Sequence, residues 1–492
     1  YNSSSPAFSS DGKYLIFTSA RDFNPMYGQL EWNHIYTNMN GVYMAMLAKN
    51  TPSPLLPGEK KEERKAPKPG EKKGAPGEKQ QASAVTTVID PEGIFERIVK
   101  LPLPTGRYFN MFCDGKKIYY SSGRGTKAFD LSKQKEESVS DDASLVSYTM
   151  GAKKAVFAKR NEVYVCDFPA ARVQTREKVN ISNLIAPIDY TQEWAQIYDE
   201  VWRAYRDGFY LENMHGKDWD AIHDKYAVML PYVQHRQDLT YLIGEMIAEL
   251  NIGHAYVTTG EAPRAERVKV GLLGGQFAKD KSGYFQVTKI FQGEDWSKTN
   301  RSPLAEPGLG VKVGDYVLAV NGKSLKDVRN IYETLVGKVG SMVALKVNTT
   351  PSEEGARTIY VKPIADETQL AYYEWVHNNI RKVDEMSGGQ IGYIHIPDMS
   401  TVGLDEFTKL FYTQLDKKAL IIDDRMNGGG NVSPMIIERL QREVYRMNMY
   451  RNGSEGLATI PESTHHGPKV CLVDKYSSSD GDLFPYGFQK LG

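Results

Sequence analysis

Ser479 is the side chain in this sequence best placed for nucleophilic chemistry. It stands in Tyr476-Ser477-Ser478-Ser479-Asp480-Gly481-Asp482, between an apolar strand at 469–473 and a predicted helix. A strand-to-helix turn directs the hydroxyl outward, and the free N–H groups at the helix start suit a developing oxyanion. The alternative, from this segment alone, is that Ser479 or Asp480 serves only as the N-cap of the helix.

A glycine-rich turn, Asp423-Asp424-Arg425-Met426-Asn427-Gly428-Gly429-Gly430-Asn431, also follows a buried strand and precedes a helix. A phosphate-binding loop would need a Lys-Ser/Thr pair after the glycines, which this turn lacks. Because the carboxyl ends of parallel strands meet at one edge of a sheet, we expect the turn to place a backbone amide donor beside Ser479.

His254, in Leu250-Asn251-Ile252-Gly253-His254-Ala255-Tyr256-Val257, is the best candidate for a general base. A serine hydroxyl is a weak nucleophile and needs an adjacent base to take its proton. Taken alone, this histidine equally fits a structural hydrogen bond. The other histidines considered lie inside a strand, lie in a loop or lack metal-ligand spacing: His395, His465, His466, His215 and His223.

The elements around Ser479 alternate between strand and helix over residues 366–492. Continuous apolar strands between helices predict a mainly parallel, helix-covered sheet. The predicted strands are 390–396, 419–423 and 469–473, and the predicted helices are 404–415, 434–444 and 480–491.

Residues 262–365 return to short strands and resemble a PDZ domain. The run Gly314-Asp315-Tyr316-Val317-Leu318-Ala319-Val320-Asn321-Gly322 is a strand that ends in an Asn-Gly hairpin turn, and 325–336 is predicted as a helix. PDZ domains add an extended peptide as a strand and hold its terminal carboxylate with loop amides. The alternative is a PDZ-like module that serves only as a spacer.

Residues 184–260 are predicted to form a compact helical segment that carries His254. Apolar side chains recur at helical spacing, which is a pattern typical of a packed core. They are Trp194, Ile197, Tyr198, Val201, Trp202 and Tyr205, followed by Leu239, Leu242, Ile243, Met246, Ile247 and Leu250.

Residues 1–183 are predicted to be part of a β-propeller. Strand pairs joined by Asp-Gly turns recur at Asp11-Gly12 and Asp114-Gly115, as in four-stranded propeller blades. An ordinary antiparallel sandwich is the alternative. Residues 57–82 are almost wholly Gly, Pro, Lys, Glu, Ala and Gln, and we predict a disordered insert there.

Composition excludes several classes of protein. The 492 residues carry 61 Lys+Arg and 61 Asp+Glu, so a cationic nucleic-acid-binding surface is not expected. No apolar run reaches the roughly 20 residues that a membrane span needs. The three cysteines are too far apart to form a disulfide framework or a Cys-rich zinc site.

These pieces together resemble the tricorn protease family, a branch of the C-terminal-processing serine peptidases (family S41). The motifs that carry the resemblance are the segment ending at His254, the PDZ-like module, Gly392-Tyr393-Ile394-His395-Ile396-Pro397-Asp398-Met399, the turn up to Gly430 and Ser479-Asp480-Gly481-Asp482, in that order. The resemblance implies a multidomain fold: β-propeller blades, a helical core segment, a PDZ-like β domain and an α/β catalytic core that is incomplete at its C-terminus.

By position, the resemblance assigns Ser479 as nucleophile and His254 as base, with the backbone amides of Gly430 and Asp480 as the oxyanion hole. The glutamate with which the family orients its base has no match here and is expected beyond Gly492. Gly253 stands where tricorn has an assisting serine.

The resemblance further implies an endopeptidase or oligopeptidase that acts on peptides, a homohexamer, a cytoplasmic location and no metal or organic cofactor. A periplasmic location stays open, because the N-terminus looks trimmed. Two alternatives also stay open: a propeller–PDZ scaffold that binds peptides without cutting them, and a periplasmic processing peptidase that uses a Ser–Lys pair.

Overall fold

The computed structural model describes residues 2–28, 34–56, 86–149, 153–176, 178–260, 265–294, 297, 300–449, 451 and 458–492. The predicted insert at 57–82 lies outside the described residues. The chain divides into two compact units, residues 1–257 and 258–492, and each is considered by itself.

The first unit begins with antiparallel sheets. Two of them have four strands, in the orders β1-β2-β5-β6 and β10-β9-β8-β7, a third is β11-β12-β13, and β3 pairs with β4. The strands are β1 (Ser3–Phe8), β2 (Tyr14–Ala20), β3 (Pro25–Tyr27), β4 (His34–Tyr36), β5 (Asn40–Met46), β6 (Ile98–Lys100), β7 (Phe109–Cys113), β8 (Lys117–Ser122), β9 (Gly125–Asp130), β10 (Lys135–Ser140), β11 (Ser144–Thr149), β12 (Lys154–Lys159) and β13 (Glu162–Asp167).

Successive sheets pack face to face because side chains alternate along each strand. In the middle sheet, Cys113 and Tyr120 join the core shared with the first sheet. Their neighbours Phe112 and Tyr119 join the core shared with the third sheet. A sheet buried on both faces by neighbours of similar size is the arrangement expected of propeller blades.

Three helices complete the first unit: α1 (Tyr190–Gly208), α2 (Trp219–Ala227) and α3 (Arg236–Ala248). Their apolar faces form one core, in which Tyr198, Leu239 and Met246 are fully buried. Trp202 and Trp219 each donate an indole N–H to the other's carbonyl oxygen, at 3.2 and 3.0 Å. The predicted helical periodicity is confirmed in this segment.

The second unit opens with an antiparallel sheet in the order β14-β15-β16-β18-β19, with β17 paired to β16. The strands are β14 (Gly275–Lys279), β15 (Phe285–Ile290), β16 (Tyr316–Val320), β17 (Lys323–Ser324), β18 (Val343–Asn348) and β19 (Arg357–Val361). Asn321 and Gly322, with φ of 49° and 80°, form the predicted hairpin turn between β16 and β17.

The helix predicted at 325–336 is wrong. Only Ile331–Leu335 is helical, as a short 3-10 turn. Leu325, Val328 and Ile331 are all buried, so their spacing of three resembles a helical face. The extended backbone of Asn330, whose side chain caps the 3-10 turn, breaks the helix before it.

The rest of the second unit is the predicted parallel sheet, in the order β20-β21-β24, with helices packed on it. The elements are α4 (Thr368–Ser387), β20 (Ile391–His395), α5 (Thr401–Tyr412), β21 (Ala419–Asp423), α6 (Ser433–Leu440), β22 (Arg446–Asn448), β23 (Ala458–Ile460), β24 (Lys469–Leu472) and α7 (Asp480–Leu491). Helix α4 and the β22–β23 hairpin are the two elements here that the sequence patterns did not predict.

Candidate active site

Three loops meet at one edge of the parallel sheet. Strand β21 pairs in parallel register with β20 on one side and β24 on the other, so all three carboxyl ends point the same way. The loops that follow them carry Met399, the glycine-rich turn and Ser479. This edge is where parallel α/β sheets form their sites.

Ser479 has a backbone conformation that L-residues rarely adopt, with φ 57° and ψ −125°. These angles are those of the first central residue of a type II′ turn, a position that favours glycine. A non-glycine residue held there costs on the order of 1–3 kcal/mol and persists only where the surroundings enforce it.

The Ser479 hydroxyl is not used as a helix cap. Ser479 occupies the N-cap position of α7, but its side chain makes no capping hydrogen bond. Within the described ranges, its Oγ has no hydrogen-bond partner, and the residue is half-buried. The alternative that this serine serves only to cap the helix is therefore not supported by its geometry.

Asp480 uses its side chain to join two helices. Its carboxylate accepts hydrogen bonds from the Ser433 backbone N–H at 3.0 Å and the Ser433 hydroxyl at 2.5 Å. Ser433 is the first residue of α6, the helix after the glycine-rich turn. The Asp480 side chain therefore connects the glycine-rich turn to the Ser479 turn, at the points where α6 and α7 begin. For this side chain the sequence had suggested only a capping role.

Gly429 lies directly against the nucleophile turn. A Cβ atom on Gly429, where φ is +90°, would lie 2.6 Å from Ser479 Cβ and 3.0 Å from Asp480 N. Real Cβ contacts as short as 2.6 Å are essentially never seen, so the approach to Ser479 needs glycine. The prediction that the glycine-rich turn lies beside Ser479 is consistent with this contact.

Gly430 is equally constrained, with φ +152° and a hypothetical Cβ only 1.8 Å from Met399 O. Met399 pairs with this turn through Met399 N to Gly429 O, at 2.8 Å, and Asn431 N to Met399 O, at 2.6 Å. Among the residues that the structure describes, neither the Gly430 N–H nor the Asp480 N–H has a hydrogen-bond partner. Both amides are free to donate to a ligand.

An ion pair supports the start of the glycine-rich turn. Arg425 donates to both oxygens of Asp423, at 2.8 and 2.5 Å, and Tyr393 Oη donates to Asp423 at 2.6 Å. Burial alone would raise the pKa of Asp423, but these hydrogen bonds hold that pKa below its usual value. Asp423 is therefore a charged structural anchor.

His395 is also structural. Its Nδ1 lies 2.9 Å from Tyr372 Oη and its Nε2 lies 3.3 Å from Arg425 O. Burial lowers the pKa of His395, which favours the neutral ring. With both ring nitrogens engaged, it is a poor candidate for a general base.

His254 belongs to the first unit, in the segment that follows α3. Its neighbours Ile252, Ala255 and Val257 pack against the helical core. His254 has φ 59°, and its ring is exposed. Its Nδ1 lies 2.9 Å from Tyr256 Oη, and no group in the described part of the chain bonds to its Nε2. The structure thus brings Ser479, Gly430 and Asp480 together within one unit, whereas His254 is placed in the other.

Two negative findings apply to the described residues alone. In those ranges, no cluster of three or more His, Cys, Asp and Glu side chains could hold a metal ion. No described helix has both the length and the apolar character needed to cross a membrane.

Three stretches of the chain match models of known families. Residues 190–248 match the tricorn protease C1 domain, 271–366 the tricorn protease PDZ domain, and 390–492 peptidase family S41. The last stretch contains Ser479, Gly430 and Asp480. Fold and site together define a multidomain protein in which a PDZ domain precedes a core of peptidase family S41.

Known relatives narrow this class to one family. Tricorn protease homolog 1 of Streptomyces coelicolor is 29% identical over 99% of this chain and 47% of its own length. The tricorn protease of Thermoplasma volcanium is 27% identical over 100% of this chain and 47% of its own length. The chain belongs to the tricorn protease family, and it spans about half the length of the curated relatives it matches.

A solved structure agrees with the fold. The crystal structure of the tricorn protease matches with a TM-score of 0.81 and 25% identity, covering 100% of this chain and 47% of that chain. The predicted fold class, with propeller blades, a helical segment, a PDZ domain and an α/β core, is confirmed.

Proposed function

We propose that this chain carries the catalytic region of a tricorn-type serine peptidase, which hydrolyses peptide bonds through an acyl-enzyme on Ser479. The observation that carries the proposal is the Ser479 turn. A hydroxyl without a partner among the described residues is held in a strained turn, against a glycine-rich loop that offers free amides.

The proposed reaction proceeds in two steps. Ser479 Oγ attacks the carbonyl carbon while His254 Nε2 takes its proton, and the amides of Gly430 and Asp480 hold the resulting oxyanion. His254 then returns the proton to the leaving amine as the C–N bond breaks. Water, activated by the same histidine, hydrolyses the ester and regenerates Ser479.

Tyr256 supports the proposed role of His254. For Nε2 to accept a proton, the neutral ring must carry its hydrogen on Nδ1, and Tyr256 Oη lies 2.9 Å from that atom. In the proposed tautomer the Nδ1–H donates to Tyr256 Oη, which then orients the ring as the acceptor in a catalytic triad does.

Peptides are the proposed substrates, and a homohexamer and a cytoplasmic location are proposed with them from membership of the family. The Ser–Lys alternative requires a lysine side chain within hydrogen-bonding distance of Ser479, as its general base. In the described part of the chain no lysine bonds to Ser479, and Lys469 Nζ, at the far end of β24, donates to His465 O and Gly467 O.

Substitution in the full-length protein tests the proposal. Ser479→Ala and His254→Ala should each lower kcat for a fluorogenic peptide by about 10⁴-fold or more, because the two groups act as a unit. The matched controls are Ser341→Ala and His466→Ala, which alter exposed residues outside the site. A fluorophosphonate should label the wild type at Ser479 and leave Ser479→Ala unlabelled.

The scaffold alternative has a different outcome. A protein that only binds peptides would retain a labelled peptide, release no product and take up no phosphonate at Ser479. Near-normal turnover by Ser479→Ala would also overturn the proposal.

A further inference from the structure

The Asn427 side chain makes three hydrogen bonds from within the glycine-rich turn. It is fully buried, and its Nδ2 donates to Ile396 O at 3.0 Å and to Asp424 Oδ1 at 2.9 Å. Its Oδ1 accepts the Gly429 N–H at 2.9 Å. Both hydrogens and the oxygen of one carboxamide are therefore used inside the site.

These contacts connect the ends of all three parallel strands. Ile396 follows β20 and Asp424 follows β21, while the backbone oxygen of Asn427 accepts the Ser478 N–H at 2.9 Å, one residue before the nucleophile. A Cβ on Gly481 would lie 2.5 Å from that same oxygen. Asn427 is thus in contact with the glycine-rich turn on one side and with the nucleophile turn on the other.

Asp424 holds the Asn427 side chain by accepting a hydrogen bond from its Nδ2. Its carboxyl group is fully buried, and in the described part of the chain its Oδ2 has no hydrogen-bond partner. Burial, together with the nearby charges of Asp423, Asp482 and Asp474, raises the pKa of Asp424 to about 8, against the hydrogen bond from Asn427. The carboxyl is therefore mainly neutral at pH 7, which spares the neighbouring oxyanion site a buried negative charge.

We propose that Asn427, held by Asp424, is a positioning residue that sets the spacing between the Gly430 amide and Ser479. The inference rests on the proposed peptidase function and adds to it a residue that touches no substrate. Oxyanion donors act over a narrow range of distances, about 2.7–3.1 Å, so a small shift of the glycine-rich turn should reduce turnover strongly.

The test compares three variants in the full-length protein. Asn427→Ala removes all side-chain bonds, whereas Asn427→Asp keeps its size and the acceptor for Gly429 but loses both donors. The double variant Asp424→Asn/Asn427→Asp exchanges donor and acceptor and so restores the bond between the two side chains. Gln414→Ala is the matched control, since Gln414 is a buried carboxamide with three hydrogen bonds to Tyr393 and Leu410.

We expect Asn427→Ala and Asn427→Asp to lower kcat by about 10²-fold, the typical effect of losing an oxyanion donor, with KM within about threefold of the wild type. The double variant should recover at least about tenfold in kcat over Asn427→Asp, and Gln414→Ala should keep wild-type kcat. Because Asn427→Asp is isosteric, it keeps the test open should Asn427→Ala fail to fold.

Three results would overturn the inference: kcat close to wild type in both single variants, an equal loss in Gln414→Ala, or no recovery in the double variant. Failure of the proposed function looks different, because the wild type itself would then neither hydrolyse peptide nor take up fluorophosphonate at Ser479. An active wild type with active Asn427 variants refutes the positioning role alone.

Discussion

At the scale of single residues, the site depends on groups held in conformations or charge states that they would not adopt in solution. Ser479 has a φ of 57°, and Gly429 and Gly430 approach other atoms too closely for any side chain. Asp424 is a carboxyl buried where its ionised form is disfavoured. Such departures cost folding free energy and cluster at functional sites.

Asp424 leads to a prediction about pH and stability. Burial raises the pKa of Asp424 to about 8, from an ordinary value of 3.8, so the folded protein keeps a proton that the unfolded chain loses. The wild type should therefore lose stability as pH rises from about 4 to about 8, by up to about 1.4 kcal/mol per pH unit from this group. Asp424→Asn removes the effect, so its melting temperature relative to the wild type should rise between pH 5 and pH 9.

The control for this prediction has the opposite sign. Hydrogen bonds from Thr368 lower the pKa of the exposed Asp366, so its ionised form stabilises the fold above the unfolded pKa. Asp366→Asn should gain nothing on the wild type as pH rises. A constant difference between Asp424→Asn and the wild type across the whole range would contradict the assigned pKa.

At the scale of elements, the turn at residues 271–275, at the start of the PDZ domain, already holds a carboxylate from its own chain. Glu367, the N-cap residue of α4, accepts the buried Gly274 N–H at 2.6 Å. Two residues before Gly274, the Leu272 N–H donates to Ile364 O at 2.8 Å. Amides that a PDZ domain would offer to a terminal carboxylate are thus occupied from within, and the contact connects the domain to the first helix of the α/β core.

This contact predicts that the wild-type PDZ domain does not select free C-termini. A peptide with a free carboxylate and its amidated analogue should bind the protein with the same affinity by fluorescence anisotropy. Glu367→Ala frees the Gly274 amide and should introduce a preference for the free acid. Glu367→Gln keeps an acceptor oxygen and should behave as the wild type; a wild type that already prefers the free acid would refute the prediction.

At the scale of the whole molecule, exposed apolar residues in and beside β22 bear on the proposed assembly. Tyr445, Met447 and Met449, in and beside β22, expose 77%, 62% and 83% of their surface. Neighbouring apolar side chains with this exposure favour burial against another protein surface. Together with family membership, they favour the proposed homohexamer.

Size-exclusion chromatography with light scattering, on the full-length protein, tests this assembly. We expect peptidase activity to elute with a species of six times the protomer mass, and to decline on dilution as that species dissociates. Activity confined to a stable monomer would rule out assembly as a requirement for function.

The sequence by itself determined most of the local structure and the identity of the proposed site residues. Strand and helix periodicity located the parallel sheet and the helical segment, and turn residues marked Ser479 and Gly430. The predicted helix at 325–336 is wrong because buried turns, like helices, can place an apolar residue at every third position. Periodicity indicates which side chains are buried, and that pattern can be read from residues close together in the chain.

Only the tertiary structure decided how the turns are held. The bond between Asp480 and Ser433 spans 47 residues of sequence, and that between Asn427 and Ile396 spans 31. The raised pKa of Asp424 and the capture of the Gly274 amide by Glu367 likewise arise from burial and from contacts between distant segments. Hydrogen bonds of this kind leave no periodic signal, because each depends on where two separate loops end after the sheet has formed.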